Sequence, residues 1–288
     1  MKDKIAYQGE PGANSHIACL EATPALEPLA CRTFEDAFQA VKDGTAALAM
    51  IPVENSVAGR VADIHHILPA SSLAIIGEYF MPVHHQLLVV KGTKPADLKS
   101  VHSHVHALGQ CRKVIREMGL DAVVAVDTAG SARELSEVKD KSRSAIATKL
   151  AAEIYGLDIL RADIEDEVHN TTRFIILAPE RRDAEAGKGP VMTSFVFRVR
   201  NVPAALFKAM GGFATNGVNM TKLESYQLEG RFSATQFFAD IEGHPSDRNV
   251  RLALEELAFF TSYIRTLGVY PASPYRAEIA KRMDGAEI

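Results

Sequence analysis

This sequence of 288 residues lacks several features that would place it in a class at once. It has three cysteines and no tryptophan. An odd number of cysteines without paired spacing argues against a disulfide framework or a zinc site. No apolar run approaches the roughly 20 residues that span a bilayer, and the N-terminus has no apolar secretory core. These absences predict a cytoplasmic protein with reduced thiols and no membrane partner.

A basic excess is also missing. The chain has 32 Lys and Arg against 36 Asp and Glu, which gives a net charge of −4. Nucleic-acid-binding domains usually carry a basic face, so no nucleic-acid partner is expected. The hydrophobic share of 47% excludes a disordered chain. The length suggests about two domains, at roughly 100–200 residues each.

The first 178 residues alternate short apolar runs with helical patterns. Strands are predicted at 5–8, 46–51 and 173–177, with Pro52 ending the second of them. One helix is predicted over 108–118, within which Cys111 is expected to be a buried structural thiol. This βαβ alternation predicts an α/β fold with a mainly parallel sheet.

The pattern changes after residue 178. Residues 179–190 are polar and contain glycine and proline without an apolar face, which predicts an exposed linker. From 191 to 271 the order of apolar strands and helices is βαββαβ, the ferredoxin-like arrangement. The tail, 272–288, has a helical pattern.

Three segments carry polar groups at predicted strand ends. Glu54, Asn55 and Ser56 follow one strand, where open α/β sheets bind ligands; the alternative is a helix cap. The segment containing Arg173 offers hydroxyls and a guanidinium that could bind a carboxylate; the alternative is that Arg173 is an ordinary surface arginine. The loop from Gly9 to the next helix suits a carboxylate better than a phosphate.

Histidines raise the question of a metal. Seven of the ten histidines cluster at three places, namely His65-His66, His84-His85 and His102, His104 and His106. No carboxylate or cysteine at ligand spacing completes any of these groups, so no metal site is predicted.

Taken together, these segments resemble the prephenate dehydratase family over about residues 4–178. The matching motifs, in the family's order, are Gly9…Ser15-His16, Pro52-Val53-Glu54-Asn55-Ser56…Gly59, His85-Gln86-Leu87-Leu88, Ser103-His104…Gln110-Cys111, Asp127-Thr128-Ala129 and Asn170-Thr171-Thr172-Arg173-Phe174. The later segment Asn219-Met220-Thr221-Lys222-Leu223-Glu224-Ser225 looks like part of an ACT regulatory domain.

The resemblance implies a catalytic domain, 1–178, of two lobes similar to periplasmic binding proteins. Lobe 1 would comprise about 1–78 and 168–178, lobe 2 about 79–167, and the ACT domain 191–271. It also implies a homodimer or homotetramer, prephenate as substrate, and feedback inhibition by L-phenylalanine. No cofactor is expected, because formation of the aromatic ring drives the loss of the ring hydroxyl and carboxylate.

Residue roles follow from the same resemblance. Thr172 and Arg173 match catalytic positions. Substrate-binding positions are matched by Ser15, Glu54, Asn55, Ser56, Ser103, Gln110, Asp127 and Thr171. Effector-site positions are matched by Ala204, Ala205, Leu206, Asn219, Glu224 and Ser225. The chain departs from the family at Glu10, where proline is usual, and at Ala204, where glycine is usual.

Two alternatives stay open at this point. An arogenate dehydratase would use the same site on an amino-acid analogue of prephenate. A cytoplasmic amino-acid-sensing protein would use the same cleft without chemistry. The Thr172-Arg173 pair argues against a pure sensor, which has no need of a donor for a leaving group.

Overall fold

The structure is a computed structural model that describes residues 3–61, 63–167, 169–200, 202–227 and 234–284. The chain divides into two compact units. The first is Met1–Val61 with Phe80–Phe174, and the second is Ala62–Tyr79 with Ile175–Ile288. The predicted domains, 1–178 and 191–271 with a linker between them, divide the chain at other positions, and they stay a prediction.

The elements follow one another through the chain as alternating strands and helices. In the first part they are β1 (Lys4–Gln8), α1 (Asn14–Ala22), β2 (Glu27–Cys31), α2 (Phe34–Lys42), β3 (Leu48–Asn55), β4 (Gly59–Arg60), α3 (Ile64–Ala70) and β5 (Ala74–Pro82). Then come β6 (Gln86–Val89), β7 (Ser100–Ser103), α4 (Val105–Gln110), α5 (Arg112–Glu117), β8 (Asp121–Val124), α6 (Thr128–Val138), β9 (Arg143–Ala147), α7 (Lys149–Tyr155), β10 (Asp158–Arg161) and β11 (Thr171–Ala178). The last are β12 (Val191–Val199), α8 (Ala205–Thr215), β13 (Met220–Gln227), β14 (Ala234–Glu242), α9 (Arg248–Phe260), β15 (Thr261–Pro271) and α10 (Pro274–Asp284).

The first sheet has the order β2-β1-β3-β11-β5, with β4 paired to β3. Strand β3 runs through Pro52 to Asn55, so the prediction that Pro52 ends the strand is wrong. The pairing of β1 with β3 stops at Met50. Proline has no backbone N–H to donate to a neighbouring strand. Because Pro52 lies beyond the residues of β3 that pair with β1, its missing N–H does not interrupt that pairing. This extension brings Glu54 and Asn55 into the sheet beside β11.

The second sheet, β10-β6-β9-β7-β8, is mixed. Strand β7 is parallel to β8 and β9, whereas β6 is antiparallel to both β9 and β10. The expectation of mainly parallel pairing therefore fails for this sheet. The strands β6 and β10, by which the chain enters and leaves the sheet, run against their neighbours.

The predicted helix over 108–118 is two helices, α4 and α5, separated at Cys111. The Asp166 carboxylate accepts hydrogen bonds from the backbone N–H groups of Arg112 (3.0 Å) and Lys113 (3.2 Å). These are N–H groups that a new helix start leaves without helical partners. Asp166, more than 50 positions away in the chain, thus caps the N-terminus of α5. The local periodicity of residues 108–118 could not show this.

The third sheet has the order β13-β14-β12-β15. With α8 and α9 it has the βαββαβ order, which confirms the ferredoxin-like prediction. Its core is aromatic and includes Phe195, Phe197, Phe213 and Phe237. Residues 179–190, all of them described, contain neither helix nor strand and are mostly exposed.

Within the second unit, the ferredoxin-like part packs on residues 62–79. The Arg265 guanidinium donates to the carbonyl oxygens of Pro69 and Ser71, both at 2.7 Å. Arg276 in α10 forms a bidentate ion pair (2.6 and 2.8 Å) with the fully buried Glu78 side chain. In the described parts of the chain, no helix is both long and apolar enough to cross a membrane.

Gly268 lies at the closest point of this packing. A Cβ added there would come within 2.1 Å of the Ile75 carbonyl oxygen, so backbone would have to move. We expect Gly268→Ala to lower the free energy of unfolding by about 2–3 kcal/mol. Gly211→Ala is the control: nothing lies within 4 Å of that Cβ, and a helical alanine gains about 0.5–1 kcal/mol over glycine. Urea unfolding of both variants checks this, and equal stabilities would contradict the packing.

Candidate active site

The ends of β3 and β11 are joined through Ser56. Its backbone N–H donates to the Thr171 carbonyl (2.9 Å), and its hydroxyl accepts from the Thr171 N–H (2.9 Å). The same hydroxyl donates to the His169 carbonyl at 2.7 Å. Ser56 thus holds the start of β11 against the end of β3.

Asn55 connects this junction to Thr172. Its Nδ2 donates to Asn170 Oδ1 (2.7 Å) and to Thr172 Oγ1 (3.0 Å). Its Oδ1 accepts from the backbone N–H groups of Val57 and Ala58, at 3.0 and 2.8 Å. The Thr172 oxygen is therefore an acceptor here, and its half-buried hydroxyl donates to no residue in the described part of the chain. Its proton is available to a ligand.

The network continues into the second sheet. Asn170 Nδ2 donates to Gln110 Oε1 (2.8 Å), and His85 Nε2 lies 2.9 Å from the same oxygen. Gln110 is the last residue of α4, and His85 immediately precedes β6. Side chains from β3, β11, α4 and the residue before β6 thus form one chain of hydrogen bonds that includes three predicted site residues, Asn55, Gln110 and Thr172.

Asn170 and His85 are absent from the predicted site residues, although both belong to matching motifs. Asn170 stands directly before Thr171, and His85 begins the His85-Gln86-Leu87-Leu88 motif. Both are buried. Sequence position could have nominated them, but only the fold shows that they join Asn55 to Gln110.

Arg173 and Glu54 form an ion pair on the other face of these strands. Arg173 Nη1 lies 2.8 Å from Glu54 Oε1, and the arginine side chain is only 3% exposed. Its guanidinium also lies 5.9 Å from the centroid of the Phe80 ring. Successive side chains of a strand point to opposite faces, so Arg173 and Thr172 face opposite sides of β11. Arg173 thus balances the charge of Glu54.

Three predicted substrate contacts lie outside this network. The fully buried Ser103 hydroxyl donates to the Ile146 carbonyl (2.6 Å), between neighbouring strands. The Asp127 carboxylate caps α6 by accepting from the Gly130 N–H at 2.5 Å. Ser15 is buried in the first turn of α1. None of the three belongs to the hydrogen-bond network of Thr172 among the described residues.

The loop predicted as an anion site contacts helices α6 and α7. Glu10, which stands where the family usually has proline, forms a bidentate pair with Arg133 at 2.6 and 3.0 Å. The Thr148 hydroxyl donates to the Gly12 carbonyl at 2.5 Å. The Tyr155 hydroxyl donates to the Pro11 carbonyl at 2.9 Å. Glu10, the departure from the family, therefore has a partner in α6.

His84 has two carboxylates nearby that sequence spacing did not reveal. His84 Nδ1 lies 2.8 Å from Glu165 Oε1 and 3.7 Å from Asp163 Oδ1. The second oxygen of Glu165 accepts from the His85 N–H at 2.9 Å. Both carboxylate oxygens of Glu165 thus hold the His84-His85 segment in place.

Burial sets the ionisation of two neighbouring groups. It lowers the pKa of His85, which favours the neutral imidazole at pH 7. It raises the pKa of the Cys111 thiol well above its ordinary value. A buried thiol that stays protonated is a poor nucleophile, in agreement with the structural role predicted for Cys111.

The ion pair gives a testable stability prediction. Glu54→Leu removes the carboxylate that pairs with the buried Arg173 guanidinium, and we expect a loss of about 3 kcal/mol in the free energy of unfolding. Glu54→Leu combined with Arg173→Met removes both charges and should recover much of that loss. The exposed Glu35→Leu is the control. Chemical denaturation measures these three variants and the parent, and a double variant no more stable than Glu54→Leu alone would contradict the pairing.

Comparison with known proteins places this geometry in a family. The family model described as prephenate dehydratase matches residues 5–182. A Komagataeibacter europaeus protein, a bifunctional N-acyl-homoserine lactone acylase/prephenate dehydratase, is 53% identical over 94% of this chain and 97% of its own length. Arogenate dehydratase/prephenate dehydratase 1 of Arabidopsis thaliana, a chloroplastic protein, is 39% identical over 94% of this chain and 72% of its own.

Solved structures agree over nearly the whole chain. A structure described as GqqA, a quorum-quenching acylase, has a TM-score of 0.87 and 52% identity, covering 94% of this chain and 99% of that one. Prephenate dehydratase from Arthrobacter aurescens in complex with L-Phe has a TM-score of 0.85 and 29% identity, covering 98% and 100%. With the family match over more than half of the sequence, these similarities show that the chain belongs to the prephenate dehydratase family.

Proposed function

We propose that this enzyme converts prephenate to phenylpyruvate, carbon dioxide and water, with Thr172 as the donor to the departing hydroxyl. The C–O bond breaks with its electron pair leaving on oxygen as hydroxide, which takes a proton from solvent to give water, and the ring C–carboxylate bond supplies the electrons of the new aromatic ring. No oxidant, reductant or cofactor is required. The observation that carries this proposal is the hydrogen bond from Asn55 Nδ2 to Thr172 Oγ1.

That hydrogen bond suits Thr172 for donation. A hydroxyl whose oxygen accepts a hydrogen bond is polarised and becomes a better donor. Full proton transfer from an alcohol is unfavourable near pH 7, since the ideal catalytic acid has a pKa near that pH. Thr172 therefore stabilises the charge that develops on the leaving oxygen, an effect worth about 10²–10³ in rate.

The other predicted residues have supporting roles in this proposal. Arg173 acts from the opposite face of β11, where it holds Glu54. Ser56 and Thr171 hold the strand junction. Substrate contacts by Ser15, Ser103 and Asp127 stay predictions. We also propose a cytoplasmic location, and neither a membrane nor a nucleic-acid partner.

Replacing Thr172 tests the donor role. We expect Thr172→Ala to lower kcat by about 10²–10³ with little change in KM, since the donor acts mainly in the transition state. Thr172→Ser keeps the hydroxyl and should retain much of the activity. Phenylpyruvate formation followed by ultraviolet absorbance provides the measurement. Equal losses in the two variants would remove Thr172 from this role, and no product from the unaltered enzyme would refute the proposed reaction.

Arogenate is the alternative substrate, because the family's relatives include proteins named for it. The same assay with arogenate, which carries an amino group in place of the side-chain keto group, gives phenylalanine directly. We expect prephenate to be turned over with the larger kcat/KM. A larger value for arogenate would assign the enzyme to that substrate and leave the role of Thr172 unchanged.

A second candidate activity comes from the 53% identical relative, which is named as an acylase of N-acyl-homoserine lactones as well as a prephenate dehydratase. Incubation with an N-acyl-homoserine lactone, with mass-spectrometric detection of homoserine lactone, tests whether this chain shares it. Thr172→Ala separates the possibilities: loss of both activities indicates one site, and loss of dehydratase activity alone indicates two.

Regulation by L-phenylalanine is the final part of the proposal. It is supported by the βαββαβ unit and by the L-Phe complex of the Arthrobacter aurescens enzyme. Ala204, immediately before α8, has a positive φ of 60°, a conformation that suits the glycine usual there. Ala205 and Leu206 begin α8, whereas Glu224 and Ser225 lie on the edge strand β13. We propose that a homodimer or homotetramer forms this effector site.

Asn219 tests the effector site. It is exposed, and its Nδ2 donates to Glu242 Oε2 at 3.0 Å. We expect Asn219→Ala to shift the L-phenylalanine inhibition curve about tenfold or more, as loss of a hydrogen bond to a charged ligand would, with unchanged turnover in its absence. Lys208→Ala on the exposed face of α8 is the control. An unchanged inhibition curve for Asn219→Ala would place the effector elsewhere.

A further inference from the structure

We propose that His85 is a positioning residue that makes Gln110 present its amide N–H₂ group, and not its oxygen, to the substrate. The inference rests on the proposed function, because it concerns how the cleft binds an anionic substrate. It follows from the direction in which each hydrogen bond of the network must run.

The direction is fixed at one end by backbone groups. The N–H groups of Val57 and Ala58 can only donate, so the Asn55 atom that faces them is its oxygen. Asn55 Nδ2 then faces Asn170 Oδ1 and Thr172 Oγ1. Asn170 in turn has only its Nδ2 left for Gln110. Each amide thus determines the orientation of the next.

Gln110 receives donors from two sides. Its Oε1 accepts from Asn170 Nδ2 at 2.8 Å and lies 2.9 Å from His85 Nε2. Because that oxygen accepts, His85 must carry its hydrogen on Nε2. A carbonyl oxygen has two lone pairs, and both are now occupied. The Gln110 amide is therefore held with its oxygen inward, and its Nε2 donates to no other described residue.

The His85 ring is held for this purpose. It is 3% exposed, and burial lowers its pKa, so it serves as a neutral donor through Nε2. Its backbone is fixed on both sides: the carbonyl accepts from Ile164 N–H at 2.9 Å, and the N–H donates to Glu165 at 2.9 Å. The next residue, Asp166, donates its N–H to the Gln110 carbonyl at 2.6 Å. One segment, 164–166, thus holds both His85 and Gln110.

The orientation of the Gln110 amide matters because the substrate is negatively charged. Prephenate carries two carboxylates, and the net charge of −4 on the protein gives it no general attraction. Binding therefore depends on local donors. Gln110 Nε2 and the Thr172 hydroxyl are the donors that the network leaves available. If the Gln110 amide turned over, its oxygen would face a carboxylate and repel it.

A purely structural histidine would behave differently. If His85 only filled space, an apolar side chain of similar size would preserve binding. If it acts through the Gln110 amide, loss of its Nε2–H must weaken substrate binding more than turnover. The amide nitrogen of glutamine is separated from Cα by the same number of bonds as His Nε2, so glutamine can restore the donor.

The experiment compares His85→Leu with His85→Gln in the full-length enzyme. We expect His85→Leu to raise KM for prephenate about 10–100-fold, the value of a hydrogen bond to a charged group, with a smaller change in kcat. His85→Gln should return KM to within about threefold of the parent. The exposed His66→Leu, a histidine outside this hydrogen-bond network, is the control and should leave both constants within about twofold. Circular dichroism and thermal melting establish that every variant is folded.

A double variant isolates the route of the effect. In a Gln110→Ala background the proposed target of His85 is gone, so His85→Leu should change KM by less than about twofold. Additive effects would show that His85 acts elsewhere and would overturn the inference. A folded His85→Leu enzyme with parental KM, or a failure of His85→Gln to restore KM, would overturn it as well.

A spectroscopic readout separates this inference from the proposed function. The nitrogen-15 chemical shifts of the His85 imidazole report which ring nitrogen carries the hydrogen, whatever reaction the enzyme catalyses. We expect a neutral ring with hydrogen on Nε2. A hydrogen on Nδ1 alone would overturn the inference even in an active enzyme. An enzyme without dehydratase activity but with hydrogen on Nε2 would refute the proposed function and leave the hydrogen-bond geometry standing.

Discussion

The structure of this site depends on the orientation of one side-chain amide, that of Asn55. Two backbone N–H groups of the following turn bind its oxygen, which directs its nitrogen toward Thr172 and Asn170. A half-buried amide with both ends engaged cannot turn over without losing several hydrogen bonds. The acceptor role of the Thr172 oxygen and the direction of the bonds that reach Gln110 both follow from this one constraint.

The pairing of β3 with β11 places charged side chains on one face of the two strands and neutral polar side chains on the other. Glu54 and Arg173 meet on one face, whereas Asn55 and Thr172 meet on the other, because side chains alternate along each strand. The ion pair balances its own charges within the protein. The neutral face offers a hydroxyl and amides, and an anionic ligand can approach it without meeting an unpaired carboxylate. Two adjacent pairs of residues therefore serve different purposes.

Much of the fold follows from local pattern. Thr33 caps α2, as a threonine directly before a helix favours, with its hydroxyl accepting from the Asp36 N–H at 3.1 Å. The βαββαβ order was also predictable, since its strands and helices alternate with clear turn signals. The failures have non-local causes. Pro52 stays within β3 because its neighbouring strand ends first, and the helix near Cys111 breaks because a distant Asp166 caps its second half. Neither cause leaves a trace in the residues nearby.

The sequence by itself determined the family, the motifs and most of the residue types that the chemistry needs, because short motifs in a fixed order are specific even when each one is modest. Tertiary structure decided which of those residues work together. Asn170 and His85 form hydrogen bonds with Gln110, which connect it to Asn55 and Thr172. Arg173 pairs with Glu54, and the Ser103 hydroxyl bonds to a neighbouring strand of its own sheet. The physical reason is that hydrogen bonds and ion pairs depend on distance and direction in space. These partners lie 25 to 119 residues apart in the chain, so the spacing of residues along the sequence carries no record of their contact.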